Sequence, residues 1–482
     1  MASEKCITII GGGFSGTLTA VQLLRQAPFP VCVKLINTGF PFGKGVAYSA
    51  ESNLHLLNVR ASRMSAFPHI PGHFVNWLEK QPDVAQFCMP GENLAHAFMP
   101  RRIFGQYVAH ILENALDKMP AGCRLIVIED EAVSIKPTKE KRYEVTLKNG
   151  PAFETEKVVL ALGNFLPEKL RGLSEEVLQS GRYFGNPWHR EAIENLEPTK
   201  PVMLVGTGLT MVDVVLSLLE QKFAGKIIAV SPKGFLPLVH RQTNPYPDFR
   251  KELEPPYNLD QLYGSVKKHI RKALTQGSSC EALIDSLRPQ TQQIWQGLSK
   301  KDKQKFLRHL SSLWGVFRHR ISEQIADRIQ AALDSGQLEV IAGRVKSAEM
   351  QNDELQVTVK ARGRQQNQTL NVQRLINCTG PQTDYTRIAS PLIQNLVSQK
   401  IIIPDELRLG LQALPDGRLI QENGKPSCAL FTIGTALRGA LWESTAVPEI
   451  SEQAAHLAQT VLHAFLPDPE TKTENTPAGA EK

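Results

Sequence analysis

Near its start the chain reads KCITIIGGGFSGTLTAVQLLRQ, an apolar run, a glycine turn and a helical pattern in that order. Gly11, Gly13 and Gly16 are spaced G-x-G-x-x-G directly after Cys6 to Ile10. The first glycine allows a tight turn, the second lets the backbone approach a pyrophosphate, and the third lets the helix pack close on its strand. The N–H groups at the helix start are then left free to bind a phosphate. A second apolar run, Val31 to Ile36, stands where the second strand of such a unit belongs. This strand-turn-helix-strand order predicts a dinucleotide site, without saying which dinucleotide.

A second unit begins at Pro201, in PVMLVGTGLTMVDVVLSLLEQ. Gly206 and Gly208 follow the apolar run Val202 to Val205, a helix begins near Leu209, and KIIAVS supplies the next strand. Met211 replaces the third glycine, so this helix is expected to stand further from its strand. Two apolar strands also end in a shared phrase: VVLALG closes on Gly163, and LINCTG closes on Gly380. A glycine at such a strand end lets a cofactor pass close to the backbone.

The predicted fold class is α/β, with two Rossmann-like dinucleotide-binding domains and a helical insertion. The expected boundaries are 1–195 and 371–466 for one discontinuous domain, and 196–370 for the inserted one. Residues from about 240 to 335 read as helical and polar. Residues 467–482 carry no apolar anchor and read as a disordered tail.

Composition bounds the rest. With 482 residues, 42% hydrophobic and 21% charged, the chain has the make-up of a soluble globular protein. No apolar run approaches the length of a bilayer span, and the first strand starts too early to leave room for a removable signal peptide. A cytoplasmic location is the expectation. Seven cysteines include no C-x-x-C pair, which argues against a disulfide framework, a metal site and an adjacent redox dithiol. The net charge of +7 gathers in places such as Lys300, Lys301, Lys303, Lys305, Arg308, Arg318 and Arg320. That cluster reads as a solvated helical face or as a basic rim for an anionic ligand. No nucleic-acid-binding module accompanies it.

Taken together, GGGFSG, PFGKGVAYS, HLLNV, RMSAFP, PRRIFGQY, NPWH, GTGLTMVD, LRP, INCTGP and WESTAVPE resemble a bacterial family of FAD/NAD(P)-binding proteins. That family is related to flavin-containing and N-hydroxylating monooxygenases, and the likeness runs from residue 6 to about 460. It implies FAD at the N-terminal turn, with Gly11, Gly13, Phe14, Ser15 and Gly16 around the pyrophosphate. It places Gly45 in the 43–48 loop, and Asn58, Arg63 and Met64 in the following segment, near the adenosine and isoalloxazine parts. Gly206, Gly208 and Leu209 would cradle NADPH, with Gly163 and Gly380 at the strand ends. Gly434, Thr435 and Thr445 would face the ribityl and pyrimidine end of the flavin.

Two positions depart from the pattern. Asn37 stands where an acidic residue normally holds the ribose hydroxyls, and Thr435 stands where Asp usually follows Gly434. Exchanging a charge-assisted hydrogen bond for a neutral one would cost about 1–2 kcal/mol at each. At the end of the central second strand, Ser231 and Lys233 offer a hydroxyl and a cation but no carboxylate. That favours NADPH, with NADH possible.

Three functions fit. The first is an FAD- and NAD(P)H-dependent monooxygenase that hydroxylates a small molecule with oxygen through a flavin hydroperoxide. The second is a flavin reductase or dehydrogenase passing electrons to another acceptor. The third is a nucleotide-binding protein without turnover. No catalytic residue is assigned.

Overall fold

The computed structural model describes residues 5–241 and 243–466; the predicted tail at 467–482 lies outside them. Two large sheets dominate. The first has the order β15 (Arg418–Ile420), β16 (Pro426–Thr432), β7 (Lys157–Leu160), β1 (Lys5–Ile10), β2 (Val31–Asn37), β3 (Arg124–Glu129). All its pairings are parallel except β15 with β16. The second has the order β13 (Gln368–Val372), β12 (Glu354–Ala361), β11 (Leu338–Gln351), β10 (Ile227–Ser231), β9 (Val202–Val205), β14 (Arg374–Asn377), β8 (Tyr183–Phe184). A third, antiparallel sheet contains β4 (Ala132–Pro137), β5 (Tyr143–Leu147) and β6 (Phe153–Thr155).

The continuous apolar runs of the sequence follow from burial on both faces of the sheets. Ile7, Ile9, Val33 and Leu35 point into a core shared with the helices Phe14–Gln26, Arg101–Asp117 and Val447–His463. Ile10, Ile36, Val158 and Leu160 point the other way, onto the small sheet and the helix Pro391–Ser398. The second sheet divides likewise. Leu204 and Ala229 meet the helices Leu209–Glu220 and Glu323–Asp334, while Met203 and Ile228 meet β11 and β12. Between Leu259 and Asp334 the chain forms a run of helices.

Sheet membership shifts the boundaries drawn from sequence. β8 lies within the stretch assigned to the first domain, and β14 within the stretch assigned to its return, yet both belong to the second sheet. The reason is visible in the repeated phrase: VVLALG and LINCTG are equivalent strands, each flanking the first strand of its own glycine unit. β7 pairs with β1, and β14 pairs with β9.

The two units are clamped by a largely buried ion pair between a half-buried arginine and a buried aspartate. Arg101, opening the helix Arg101–Asp117, grips both carboxylate oxygens of Asp213 in the helix Leu209–Glu220, at 2.8 and 3.1 Å. Its Nε also donates to the Leu56 carbonyl. His55 completes the clamp, with Nε2 2.9 Å from Ser217 Oγ and 3.2 Å from the Asp213 carbonyl. Burial holds this imidazole below the usual histidine range, against the pull of Asp213. Breaking a buried pair by removing one partner leaves an uncompensated charge. Asp213→Leu is therefore expected to destabilise the protein by about 3 kcal/mol. Arg101→Leu with Asp213→Leu should cost less than the sum of the single changes; a denaturant-unfolding double-mutant cycle measures this.

Candidate functional site

The two glycine turns are built alike. Gly11 donates its N–H to the Ile36 carbonyl (2.9 Å), and Gly206 donates to the Val230 carbonyl (2.8 Å). Both have positive φ, +104° and +115°. A Cβ at Gly11 would stand 2.1 Å from the Ala161 carbonyl oxygen, and one at Gly206 would stand 2.3 Å from that of Cys378. These two positions admit only glycine. The turns differ at the third glycine. A Cβ at Gly16 would lie 1.8 Å from the Gly11 carbonyl oxygen. Met211 occupies the equivalent place with its side chain fully buried, so its helix cannot approach Gly206 as closely.

Around the first turn, Gly13 caps the helix Phe14–Gln26. Gly45 lies so close that a Cβ on it would be 3.3 Å from the Gly13 Cα. Gly43 donates to the Gly12 carbonyl, tying the 43–48 loop to the turn. Phe14 turns its ring into the core against Tyr48 and Phe104, so only its backbone faces the turn. Met64 likewise turns its side chain into the core, so only its backbone is left to face a ligand. Asn58 uses its carbonyl to accept from His240 Nε2. Arg63 is exposed, in the field of Arg288, Asp285, Glu449 and Arg318. Ser15 stands beside Gly434, whose N–H donates to Gln453 Oε1.

The two departures from the family pattern have one physical explanation. Asn37 accepts the Gly12 N–H at Oδ1 (3.0 Å) and donates from Nδ2 to the Phe40 carbonyl (2.5 Å). Thr435 Oγ1 donates to the Gly163 carbonyl. Each side chain must donate to a backbone oxygen, which a carboxylate cannot do. The neutral residues thus hold the loops of the site together.

Around the second turn, a cleft of about 1110 Å³ is lined by Gly206, Gly208, Leu209, Lys233 and Gly380. Arg171, Arg344 and Lys346 join Lys233 there, and no Asp or Glu lines the cleft among the described residues. Sequence reasoning missed these three cations: Arg344 and Lys346 reach the cleft where a bulge at Val345–Ser347 interrupts the pairing of β11, which no local pattern announces. Ser231, expected to offer a free hydroxyl, instead bonds Thr207 Oγ1 (2.8 Å) and accepts the Gly234 N–H (3.1 Å). Gly208 and Gly380 face open space: a Cβ on either would meet nothing within 4 Å.

The cleft continues into a smaller chamber of about 290 Å³, sharing Asn164, Gly315, His319 and Pro381 with it. Gly163, Thr435, Thr445, Arg438, Trp442 and Glu443 line the far side. Gly163 again faces open space. His319 lines both spaces. Desolvation holds its imidazole below the usual range, with Glu443 opposing and Arg318 and Arg438 reinforcing the effect.

Behind this wall lies a charged network. Glu443 accepts from Trp314 Nε1 (2.7 Å) and Arg318 Nε (3.0 Å), and Glu449 pairs with Arg288 (2.9 Å) and Arg318 (3.1 Å). Burial would raise the Glu449 carboxyl, but the two arginines outweigh it and hold it below the usual range. Arg318 and Arg320, read from sequence as part of a solvated face or a basic rim, are instead partly buried and buried respectively, and both are paired, Arg318 with Glu443 and Arg320 with Asp285. Arg438 has no carboxylate partner within ion-pair distance among the described residues and lies over the Trp442 ring, 4.6 Å from its centroid.

Residues 8–165 match a family model described as FAD-NAD(P)-binding. L-aspartate N-monooxygenase (nitrosuccinate-forming) from Streptomyces davaonensis is 26% identical over 250 residues, which cover 44% of this chain. The match spans only 38% of that protein's length. Among solved structures, ornithine hydroxylase from Pseudomonas aeruginosa superposes with a TM-score of 0.63 at 13% identity, covering 96% of this chain and 100% of its own. Ornithine N-hydroxylase from Kutzneria sp. 744 gives 0.62 at 14% identity, over 95% and 99%. The FAD-bound cadaverine monooxygenase from Erwinia amylovora gives 0.62 at 13% identity, over 99% of each chain. At these identities the likeness is one of fold, extending over the whole chain.

Asn37 yields a direct test. Restoring the acidic residue of the family pattern, Asn37→Asp, sets a carboxylate against the Phe40 carbonyl and loses that hydrogen bond. The variant is expected to unfold more easily, by about 1–2 kcal/mol in denaturant titration.

Proposed function

We propose that this chain is an FAD- and NADPH-dependent monooxygenase that hydroxylates a small molecule at nitrogen. The observation that carries the reading is the pair of glycine turns of the same construction, the second of which opens onto a cleft that continues into a small chamber beside Gly163 and Thr435. The protein relatives named above act on L-aspartate, ornithine and cadaverine, all of which carry an amine.

In this reading the FAD unit is built from both ends of the chain, and the NADPH unit from the stretch between β8 and β14. Gly11, Gly13 and Gly16, with the backbone at Phe14 and Ser15, would hold the FAD pyrophosphate. Gly163, which faces open space, together with Gly434, Thr435 and Thr445, would face the flavin. Bound FAD, reduced by NADPH, supplies the oxygen-activating chemistry. The chain's own residues position it and its partners. Gly206, Gly208, Leu209 and Gly380 would receive the NADPH pyrophosphate. Lys233, Arg344 and Lys346 would receive the 2′-phosphate, for which a carboxylate-free lining is suited. Arg438, unpaired and half-buried against Trp442, offers its guanidinium to an anionic group on the substrate. His319 lines the junction of the two spaces, where its imidazole is placed to take up or pass on a proton.

Two measurements test the reading. The purified protein should show a flavin spectrum, oxidise NADPH, and form hydroxylated product in step with oxygen uptake when supplied with its substrate amine. Electron transfer to a dye or quinone with no oxygen incorporated would instead make it a reductase. Arg344→Gln with Lys346→Gln should raise the KM for NADPH by about ten- to a hundredfold while leaving that for NADH nearly unchanged. An equal rise for both cofactors would remove these residues from the 2′-phosphate site.

A further inference from the structure

The second halves of the helices Phe14–Gln26 and Arg101–Asp117, with the short helix His73–Leu78, line a pocket of about 490 Å³. That size falls within the range of about 300–1,000 Å³ usual for small-molecule sites. None of its lining residues also lines the cleft or the chamber, and Gly13 caps the opposite end of the first of these helices. Val21, Phe67, Trp77, Ile111 and Ala115, all buried or half-buried, give the pocket an apolar floor with two aromatic rings. Arg25, His73, Lys80, His110 and Lys118 stand around that floor, and no Asp or Glu lines the pocket among the described residues.

These basic groups are not spent on carboxylates. Among the described residues Arg25, Lys80 and Lys118 form no ion pair, and Glu113 comes no nearer than 3.8 Å to His110 Nδ1. Arg25 lies instead over the Phe67 ring, 4.5 Å from its centroid. His73 is fixed from behind: its Nδ1 meets the hydroxyl of the fully buried Tyr107 at 2.8 Å, and that hydroxyl accepts the Ala66 N–H. Its other ring nitrogen, Nε2, has no partner among the described residues. Burial, reinforced by Arg25, His110 and Lys80, holds this imidazole below the usual range, with no carboxylate opposing. Helix ends account for part of the charge. The three helices finish at Gln26, Leu78 and Asp117, and each end carries about half a negative charge. They offset about half of the three permanent cations, and the surplus stays at the pocket.

We propose that this pocket is a second ligand site, separate from the dinucleotide sites, for an aromatic carboxylate. The ring lies on the apolar floor against Phe67 and Trp77, and the carboxylate meets the surplus charge of Arg25, Lys80 and Lys118. His73, with Nδ1 occupied by Tyr107, keeps Nε2 for a further hydrogen bond. An inorganic anion would leave the floor in water, and a neutral hydrocarbon would leave the cations without a counter-charge. A molecule carrying both a ring and a carboxylate meets both demands. The assignment is independent of the monooxygenase reading, since no residue of the cleft or chamber takes part. A ligand here touches three helices at once, so its binding adds to the stability of the folded chain.

Calorimetric titration with 2-naphthoate, 2-naphthalenemethanol and acetate tests this, with saturating FAD and NADP+ present to fill the dinucleotide sites. 2-Naphthoate should bind at least about tenfold more tightly than either of the others, and it should raise the thermal unfolding midpoint. Lys80→Gln with Lys118→Gln alters only exposed side chains and should weaken naphthoate binding about three- to tenfold. Ala115→Phe, which fills the pocket, should abolish it. Arg438→Gln, in the chamber, should leave it unchanged. Equally weak binding of the three compounds, or naphthoate affinity that survives both pocket variants, overturns the proposal. So does an affinity lost in Arg438→Gln and kept in the pocket variants, because the chamber would then be the site.

Discussion

The ion pair between Arg101 and Asp213 is the constraint on which the working geometry depends. Each glycine unit could fold around its own sheet, but the cleft between them exists only if they are held at one distance and angle. The pair does this with a fork-shaped guanidinium that satisfies both carboxylate oxygens, a geometry lysine could not reproduce. His55 and the Leu56 carbonyl extend the contact to the segment that leads toward Asn58 and Arg63. The segment nearest the proposed flavin site is therefore anchored to a helix of the other unit. Movement between the units would be felt at once in the site.

The second organising fact is repetition. β7, β1, β2 and β3 stand to the first turn as β14, β9, β10 and β11 stand to the second. In each unit a carbonyl at the end of the flanking strand blocks any side chain on the first glycine. What differs is what surrounds each turn. The first is packed by aromatic rings and by a loop that returns to Gly13. The second is ringed by cations. Similar backbones thus present two different chemical surfaces, as two different dinucleotides would require.

Much of this was legible in the sequence because it is local. Both glycine turns, their helices and the paired strand endings are written in contiguous residues, and the helical stretch before β11 declares itself by its pattern. What escaped reading depends on distant residues meeting. Asp213 lies inside an apolar helix, and nothing nearby in sequence signals that Arg101 will reach it. Asn37 and Thr435 looked like losses because only the residue type was visible. Their donors act on carbonyls whose positions are set by folding. Phe14 and Met64, adjacent to site positions, turn inward because the helix and the short turn that carry them each have a buried side. Strand membership of β8 and β14 was hidden for the same reason: pairing partners nearly two hundred residues apart leave no local trace.

The carboxylate-free lining of the larger cleft has a consequence for how fast the site fills. Arg171, Lys233, Arg344 and Lys346 converge on a concave surface with low-polarity walls, which concentrates field lines at its opening. A polyanionic cofactor diffusing past is drawn in before any contact forms, and dissolved salt weakens that pull. The same four charges repel one another until phosphate groups arrive between them. The cleft is therefore an electrostatic funnel whose capture rate, more than its hold, varies with ionic strength.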